Sequence, residues 1–259
     1  MDAEDRAALA AGVRVVRLGR HLLQVGLEHR RAVRLARTPA IEQALSALAT
    51  GVPIAPEAAE LTADLTAELV ERGLAVLGRP TAPMSVAVAG EPPADPLPLL
   101  AAAGLAHTTD ARGADLVLLA SSGELDRELL APVARAGQPH LPVRLVDGLA
   151  ILGPFSVPGR SACLRCVDLH RAAEDSAHLL LVDRYVHAPP GSTDLVLGTL
   201  AMAWAVRDLA TFAAGGCPST WSRTVRIDPA VGEVAAQAWW RHPECGCTWG
   251  QGSSVTMEA

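Results

Sequence analysis

Four of the five cysteines in this 259-residue chain form two close pairs. Cys163 and Cys166 are separated by two residues, Cys245 and Cys247 by one, and 78 residues lie between the pairs. Zinc prefers tetrahedral ligation by thiolates, and a Cys-x-x-Cys turn directs two sulfurs at one ion. We predict that these four cysteines bind a structural Zn²⁺, because four thiolates leave no coordination position open for catalysis. A redox dithiol or buried free thiols are the alternatives, but nothing nearby predicts a thioredoxin-like helix start.

The composition excludes several classes of protein. Half of the residues are hydrophobic and the mean hydropathy is +0.24, which is enough for a large core. All 22 basic residues are arginine, so Schiff-base, phosphate-loop and kinase-type lysines are excluded. The N-terminus, MDAED, is acidic where a secretory signal is basic, and the apolar run 195–206 is too short to span a bilayer. We therefore expect a cytoplasmic protein with no membrane partner.

The first 80 residues predict a winged-helix-like domain. Alternating apolar residues predict a three-strand meander over 13–35, ending in the strand RAVRL. Thr38 and Pro39 are typical of a helix start, and Gly51 ends that helix. A second helix is expected over 56–72, followed by a strand over 74–77. This second helix carries one apolar stripe, formed by Leu61, Leu65 and Leu69.

Residues 84–259 predict a second domain of the α/β class, reached through the linker GRPTAP. The runs SVAVAG, ADLVLLA and HLPVRLV are buried strands by composition, and helical segments alternate with them. This alternation favours a doubly wound sheet. An apolar helix over 195–214 and the hairpin TVRIDP–VAAQAWW follow before HPECGC.

The segment GPFSVPGRSACLRCVDLHR, together with HPECGC, resembles the zinc-bearing half of ThiF-like proteins, which are related to ubiquitin-activating enzymes. More specifically, the chain resembles leader-peptide-binding proteins of ribosomal peptide natural-product (TOMM/RiPP) biosynthesis. These join a degenerate ThiF-like domain to an N-terminal RiPP recognition element, a small winged helix. The resemblance implies a non-catalytic protein that captures a precursor leader peptide. It would deliver that peptide to a separate modifying enzyme, such as a YcaO-type cyclodehydratase.

An ATP-dependent adenylating enzyme of the same class is the alternative function. Active relatives need a glycine-rich turn after the first strand, so that backbone N–H groups approach phosphate. Here that turn reads Gly-Glu-Pro-Pro-Ala-Asp over 90–95, in which two prolines lack N–H groups and two acids repel phosphate. Asp110 could be a ribose-binding acid, but an exposed turn residue is the commoner explanation. We therefore expect no catalytic residues and no adenylation.

The N-terminal meander is strongly basic, with seven arginines and one glutamate over residues 14–37. This charge favours an acidic ligand. A winged-helix DNA-binding regulator is a further alternative, but the second helix carries Asp64, Glu68 and Glu71, which phosphates would repel, so no nucleic acid is expected.

A leader peptide could instead add as a strand beside RAVRL, as the family resemblance also implies. A proline at Val33 is expected to block that pairing. The sequence leaves the oligomeric state open, and a homodimer is compatible with it. The peptide-binding residues expected are Arg30, Arg31, Ala32, Val33, Arg34, Leu35, Leu61, Leu65 and Leu69.

Overall fold

The chain divides into two compact units in the computed structural model, which describes residues 6–50, 59–78, 84–189 and 191–247. One unit comprises Met1–Thr81 with Ala214–Gly216, and the other comprises Ala82–Ala213 with Cys217–Ala259. The secondary structure of the N-terminal unit is β1 (Arg6–Leu9), β2 (Val15–Arg17), β3 (Leu22–Val25), β4 (Val33–Ala36), α1 (Pro39–Thr50), α2 (Ala59–Glu71) and β5 (Ala75–Gly78).

The N-terminal unit contains the predicted meander as a three-stranded antiparallel sheet in the order β2-β3-β4. Its inward residues pack against the buried faces of α1 and α2. The predicted cap is confirmed, because the Thr38 hydroxyl accepts a hydrogen bond from the Ile41 N–H at 3.2 Å. The sequence did not predict β1, which pairs antiparallel with β5.

The C-terminal unit alternates strands and helices at first and then becomes antiparallel. Its elements are β6 (Ser85–Glu91), α3 (Leu97–Ala102), β7 (Ala106–Thr108), β8 (Leu116–Ser121), α4 (Arg127–Arg135), β9 (His140–Val146), β10 (Leu149–Leu152), α5 (Leu164–Glu174), α6 (His178–Val186), α7 (Leu195–Ala213), β11 (Arg223–Asp228) and β12 (Glu233–Ala238). A 3₁₀ turn at Pro243–Cys245 ends the described part.

The large sheet is mixed, in the order β12-β11-β10-β9-β8-β6-β7. Strands β7, β6, β8 and β9 are parallel, as the strand–helix alternation predicts. Strands β9, β10, β11 and β12 are antiparallel neighbours instead, so the doubly wound expectation holds for only part of the sheet. The turns β9–β10 and β11–β12 are tight, and such turns can only connect antiparallel neighbours.

The sequence argued against a membrane span because the apolar run in this region has only 12 residues. Helix α7 contains that run and is longer than it. It is the one helix in the described ranges that is long and apolar enough to cross a bilayer by length and composition. A core helix passes the same test, and 44% of the α7 window is buried. The buried face includes Leu197, Met202 and Leu209, which pack in the same hydrophobic core as β9 and β10 residues.

Candidate metal centre and peptide-binding edge

The four paired cysteines come together at one point of the C-terminal unit. The Sγ atoms of Cys163 and Cys166 are 3.7 Å apart, those of Cys163 and Cys245 are 3.4 Å apart, and those of Cys166 and Cys247 are 3.7 Å apart. All four sulfurs lie within 4.8 Å of one another. Four thiolates at about 2.3 Å from a zinc ion would lie about 3.8 Å apart, so this donor set fits a tetrahedral metal site.

Two local structures place these sulfurs. Cys163 is the N-cap of α5 and Cys166 lies in its first turn, so the helix start presents both thiols on one side. The 3₁₀ turn presents Cys245, and Gly246 follows it with φ +63°. This left-handed conformation is easy for glycine and lets the backbone reverse between the two cysteines. Three of the thiols are buried and Cys247 is partly exposed.

The thiols shift one another's pKa values strongly. Hydrogen bonding with Cys166 raises the pKa of Cys163. The same hydrogen bond lowers the pKa of Cys166, and a hydrogen bond with Cys245 lowers it further. Burial, followed by the neighbouring sulfurs, raises the pKa of Cys247 to about 12. The close approach of the sulfurs therefore opposes ionisation of Cys163, Cys245 and Cys247. A bound metal ion would have to displace the remaining protons.

A buried chain of ion pairs lies beside this cluster, and the sequence did not predict it. The Arg127 guanidinium donates two hydrogen bonds to Asp168, at 2.8 and 2.9 Å, and a third to Glu124 at 2.7 Å. Arg144 donates to the same Glu124 oxygen at 2.8 Å. Burial would raise the pKa of Glu124, but Arg144 and Arg127 outweigh it and lower that pKa. This chain of ion pairs connects α5 to the carboxyl ends of β8 and β9, where α/β proteins often bind ligands.

The turn that follows β6 has few free backbone donors. Pro92 and Pro93 have no N–H, and the Leu97 N–H already donates to the Asp95 carboxylate at 2.9 Å. Gly90 is required for a different reason: a Cβ there would lie 2.3 Å from the Ala120 carbonyl oxygen on β8. Its role in this structure is close strand packing. Asp110 is an exposed turn residue whose carboxylate accepts from the Arg112 N–H at 3.0 Å.

In the N-terminal unit, β4 is an edge strand with one free side in the described residues. The Arg37 N–H donates to the His21 carbonyl of the neighbouring chain segment. Since hydrogen-bonding direction alternates along a strand, Val33 and Leu35 bond to β3 while Arg34 and Ala36 direct their backbone groups outward. A proline at Val33 would therefore remove a hydrogen bond to β3 and disturb the sheet itself, so it cannot separate lost leader pairing from unfolding.

Three arginines near this edge have guanidinium groups without an ion-pair partner in the part of the chain that the structure describes. Arg34 is exposed on β4 and its Nε donates to Gln24 at 3.1 Å. Arg30 and Arg31 lie in the turn before β4 and line an open cleft of about 590 Å³ with the C-terminal end of α2, which contributes Glu68 and Glu71 to the lining. By contrast, Arg17 and Arg37 both pair with Glu42.

The remaining predicted peptide-binding residues lie mostly in the core. Val33, Leu65 and Leu69 are buried against α1 and β3, because the inward faces of the sheet and of α2 must cover each other. Ala32 and Leu35 are partly exposed. Leu61 lies on α2, but its side chain is outside the described residues. The accessible part of the predicted site is therefore Arg30, Arg31, Ala32, Arg34 and Leu35.

Comparison with known proteins identifies the fold. No protein-family model matches the chain, and no curated protein does. Among solved structures, the heterocyclase TruD matches with a TM-score of 0.59 and 20% identity over 94% of this chain. The chain covers 42% of TruD, and it covers 39% of a heterocyclase determined in complex with substrate and cofactor (TM-score 0.57, 15% identity, 93% of this chain).

A second match covers nearly the whole of both chains. MccB from E. coli matches with a TM-score of 0.59 and 13% identity, over 98% of this chain and 99% of MccB. MccB has also been determined with ATP and with N-formylated MccA. At these identities the similarity establishes the fold: a mixed α/β protein with a large mixed sheet, shared with MccB and with part of the heterocyclases.

Proposed function

We propose that the chain is a non-catalytic binding protein of ribosomal peptide natural-product biosynthesis. It captures the leader region of a precursor peptide and delivers that peptide to a separate modifying enzyme, such as a YcaO-type cyclodehydratase. The observation that carries the proposal is the outer edge of β4, where Arg34 and Ala36 offer free backbone groups beside three arginines whose guanidinium groups have no ion-pair partner among the described residues. The shared fold with TruD and MccB supports the same biosynthetic setting.

The proposed binding mode is addition of a strand. A leader segment pairs with β4 through the outward N–H and C=O groups of Arg34 and Ala36, and these main-chain bonds give affinity for any extended peptide. Acidic leader residues then contact Arg30, Arg31 and Arg34, which gives selectivity. The N-terminal domain, residues 1–80, thus acts as the recognition element, with residues 84–259 as the degenerate ThiF-like domain.

Adenylation is the second candidate function, and the turn after β6 disfavours it. A phosphate-binding turn needs several convergent backbone N–H groups. Among the described residues of this turn, two prolines have no backbone N–H, and the Leu97 N–H already donates a hydrogen bond to Asp95. Binding of DNA is disfavoured because α2 carries Asp64 and Glu71 exposed and Glu68 partly exposed.

In this proposal the cysteine cluster holds Zn²⁺ and has a structural role. The ion would join the start of α5 to the 3₁₀ turn, two segments that lie 82 residues apart in sequence. Four thiolate ligands leave no position for a substrate. Asp168, two residues after Cys166, extends the same support to β9 through Arg127, Glu124 and Arg144.

Binding of labelled leader peptides tests the proposal. The peptides are taken from short precursor genes that neighbour the coding sequence of this chain. Arg31→Glu and Arg34→Glu should each weaken the binding of an acidic leader by about 1–3 kcal/mol, because a charge-assisted hydrogen bond is lost. Arg14→Glu is the matched control, since Arg14 is exposed at the opposite edge of the sheet. Equal leader binding by all three variants would reject the β4 edge as the leader-binding site.

Prolines provide a second test that depends on backbone direction alone. Ala36→Pro removes an outward N–H and should weaken leader binding while the unit stays folded. Ala36→Ser keeps that N–H and should bind normally. Leu35→Pro removes a hydrogen bond to β3 and should unfold the unit, as circular dichroism would show. A folded Ala36→Pro protein with wild-type affinity would contradict strand addition at β4.

A further inference from the structure

The first strand of the meander, β2, is a second open edge of the N-terminal sheet. It pairs with β3 on one side and has no strand partner on the other among the described residues. The Gly26 N–H donates to the Arg14 carbonyl at 3.0 Å, so hydrogen bonds to β3 fall on alternate residues counted from Arg14. Val15 and Arg17 therefore direct their backbone N–H and C=O groups outward, where another strand could pair with them.

An apolar groove of about 420 Å³ lies directly beside this edge, between β2 and α1. Leu23 and Leu45 line it from the hydrophobic core, and each is only 2% exposed. Val15 lines it from β2, while Arg17 and Glu42, whose side chains are 3.3 Å apart, add a polar rim. The residues with outward backbone groups thus also border the groove. A strand that paired with β2 would place alternate side chains in this groove, which is the usual geometry of strand addition.

The opposite face of β2 is apolar and exposed. Val16 is 51% exposed, and Leu18, just after the strand, is 41% exposed. Single exposed apolar side chains are common at protein surfaces, but these two share one face of a strand with a free edge. The side chains of an added strand that point away from the groove would lie beside them. The edge therefore offers a partner apolar contacts on both faces.

The charges around β2 favour an acidic partner. Arg14 and Arg20 flank the strand and are exposed, no acid lies between them in sequence, and neither has an ion-pair partner in the described ranges. Arg17, the third arginine of this segment, is held by Glu42. Since β2 has only three residues, main-chain bonds alone would hold a partner weakly. Arginines on both sides of the groove would then add selectivity for a segment whose apolar residues are flanked by acids.

We propose that β2 and its groove dock an extended acidic segment of the modifying enzyme that receives the peptide. The identity of this partner rests on the proposed function. A delivery protein must hold peptide and enzyme together, and β2 and β4 are opposite edges of one three-stranded sheet, so both edges can be occupied at once. This chain spans only 42% of TruD, so what TruD carries beyond the match would here belong to a separate protein, which needs a docking contact.

A designed peptide tests the groove without knowledge of the enzyme. The fluorescein-labelled probe has leucines that alternate with threonine and are flanked by glutamates, and a second probe has lysine in place of each glutamate. Both are titrated into full-chain Ala36→Pro protein, whose β4 edge is blocked. The glutamate probe should bind about tenfold more tightly than the lysine probe, because the free arginines beside β2 attract one and repel the other.

Two variants close the β2 site, and each has a matched control, with circular dichroism to confirm folding. Arg17→Pro removes an outward N–H, and Arg17→Ser has the same loss of charge but keeps that N–H. Ser46→Trp fills the groove, and Gln43→Trp adds the same side chain at an exposed position of α1 outside the groove lining. Arg17→Pro and Ser46→Trp should each weaken binding of the glutamate probe about tenfold relative to their controls, the loss expected from one or two hydrogen bonds or a displaced apolar side chain.

The peptide-modifying enzyme encoded beside this chain identifies the occupant of the groove. In analytical ultracentrifugation the enzyme should bind wild type equally with and without leader, because the leader occupies β4. Ser46→Trp and Arg14→Glu should each weaken enzyme binding about tenfold. The leader affinity of both variants should stay at the wild-type value.

Three results would overturn the proposal. The glutamate probe could fail to bind, or could bind Arg17→Pro and Ser46→Trp as tightly as their controls. The enzyme could bind Ser46→Trp and Arg14→Glu like wild type, which would place its contact elsewhere. Leader binding could be lost in Ser46→Trp, which would make the groove part of the leader site. Since the effect of Ala36→Pro on leader binding is measured separately, failure of the β4 site and failure of the β2 site give different results.

Discussion

Breaking the ion pair between Asp168 and Arg127 by removing one partner should be among the most destabilising single changes in the C-terminal unit. Asp168 is 4% exposed and receives two hydrogen bonds from Arg127, which also contacts Glu124. Asp168→Asn keeps the side-chain volume but removes the charge. An amide can accept only one of the two guanidinium hydrogen bonds, and its NH₂ group would face a cation.

The expected loss can be worked out from this geometry. Removal of one partner of a buried ion pair destabilises a protein by about 3–5 kcal/mol. The Arg127 side chain is 24% exposed and keeps its contact with Glu124, so the lower end applies. We expect a loss of about 3 kcal/mol, which for a unit of this size lowers Tm by roughly 6–12 °C.

Urea unfolding of the full chain measures this loss. Asp183→Asn is the matched control, because Asp183 contacts His187 at 3.7 Å but is largely exposed, and its loss should cost less than about 1 kcal/mol. The double variant Arg127→Met/Asp168→Leu should recover most of the stability, since replacing both partners leaves no unpaired charge. A loss below about 1 kcal/mol for Asp168→Asn would refute the assigned role of the pair.

Three further predictions concern the metal, the nucleotide and acid stability. Elemental analysis should find about one zinc per chain, and Cys163→Ser or Cys245→Ser should release it and destabilise the C-terminal unit; fully stable metal-free protein would contradict the site. The chain should neither bind ATP at micromolar concentration nor exchange pyrophosphate with a peptide, and clear exchange would favour the adenylating alternative. The pKa of Glu124 is lower in the folded protein than its ordinary value of 4.5. The ionised carboxylate therefore contributes stability above pH 4.5, and this contribution is lost as the pH falls through the folded-state pKa. When the pH is lowered, the Glu124→Gln variant should therefore lose less folding stability than wild type.

Local chemistry made several features readable from the sequence. Metal ligands in close pairs predict a shared site because few other functions need that spacing, and the four cysteines do come together. Strands β3 and β8 and helices α1 and α7 follow from apolar periodicity and from caps such as Thr38. The two prolines that follow Glu91 cannot donate to a phosphate in any fold, since proline has no N–H in any conformation.

Tertiary structure decided the features that depend on distant partners. Strands β1 and β7 are short segments of mainly small residues, and they are strands only because β5 and β6 pair with them. The residues of the ion-pair chain, Glu124, Arg127, Arg144 and Asp168, share no sequence pattern, because three different elements and a loop bring them together.

The outward backbone groups of β2 and β4 likewise depend on tertiary structure. Both strands follow the same alternation of side chains in the sequence, but only their pairing with β3 determines which N–H groups remain free. Sequence determined which residues can bind a metal or form a strand. Pairing between distant segments decided which backbone groups are left free, because a backbone hydrogen bond is specified by its partner and not by its own residue.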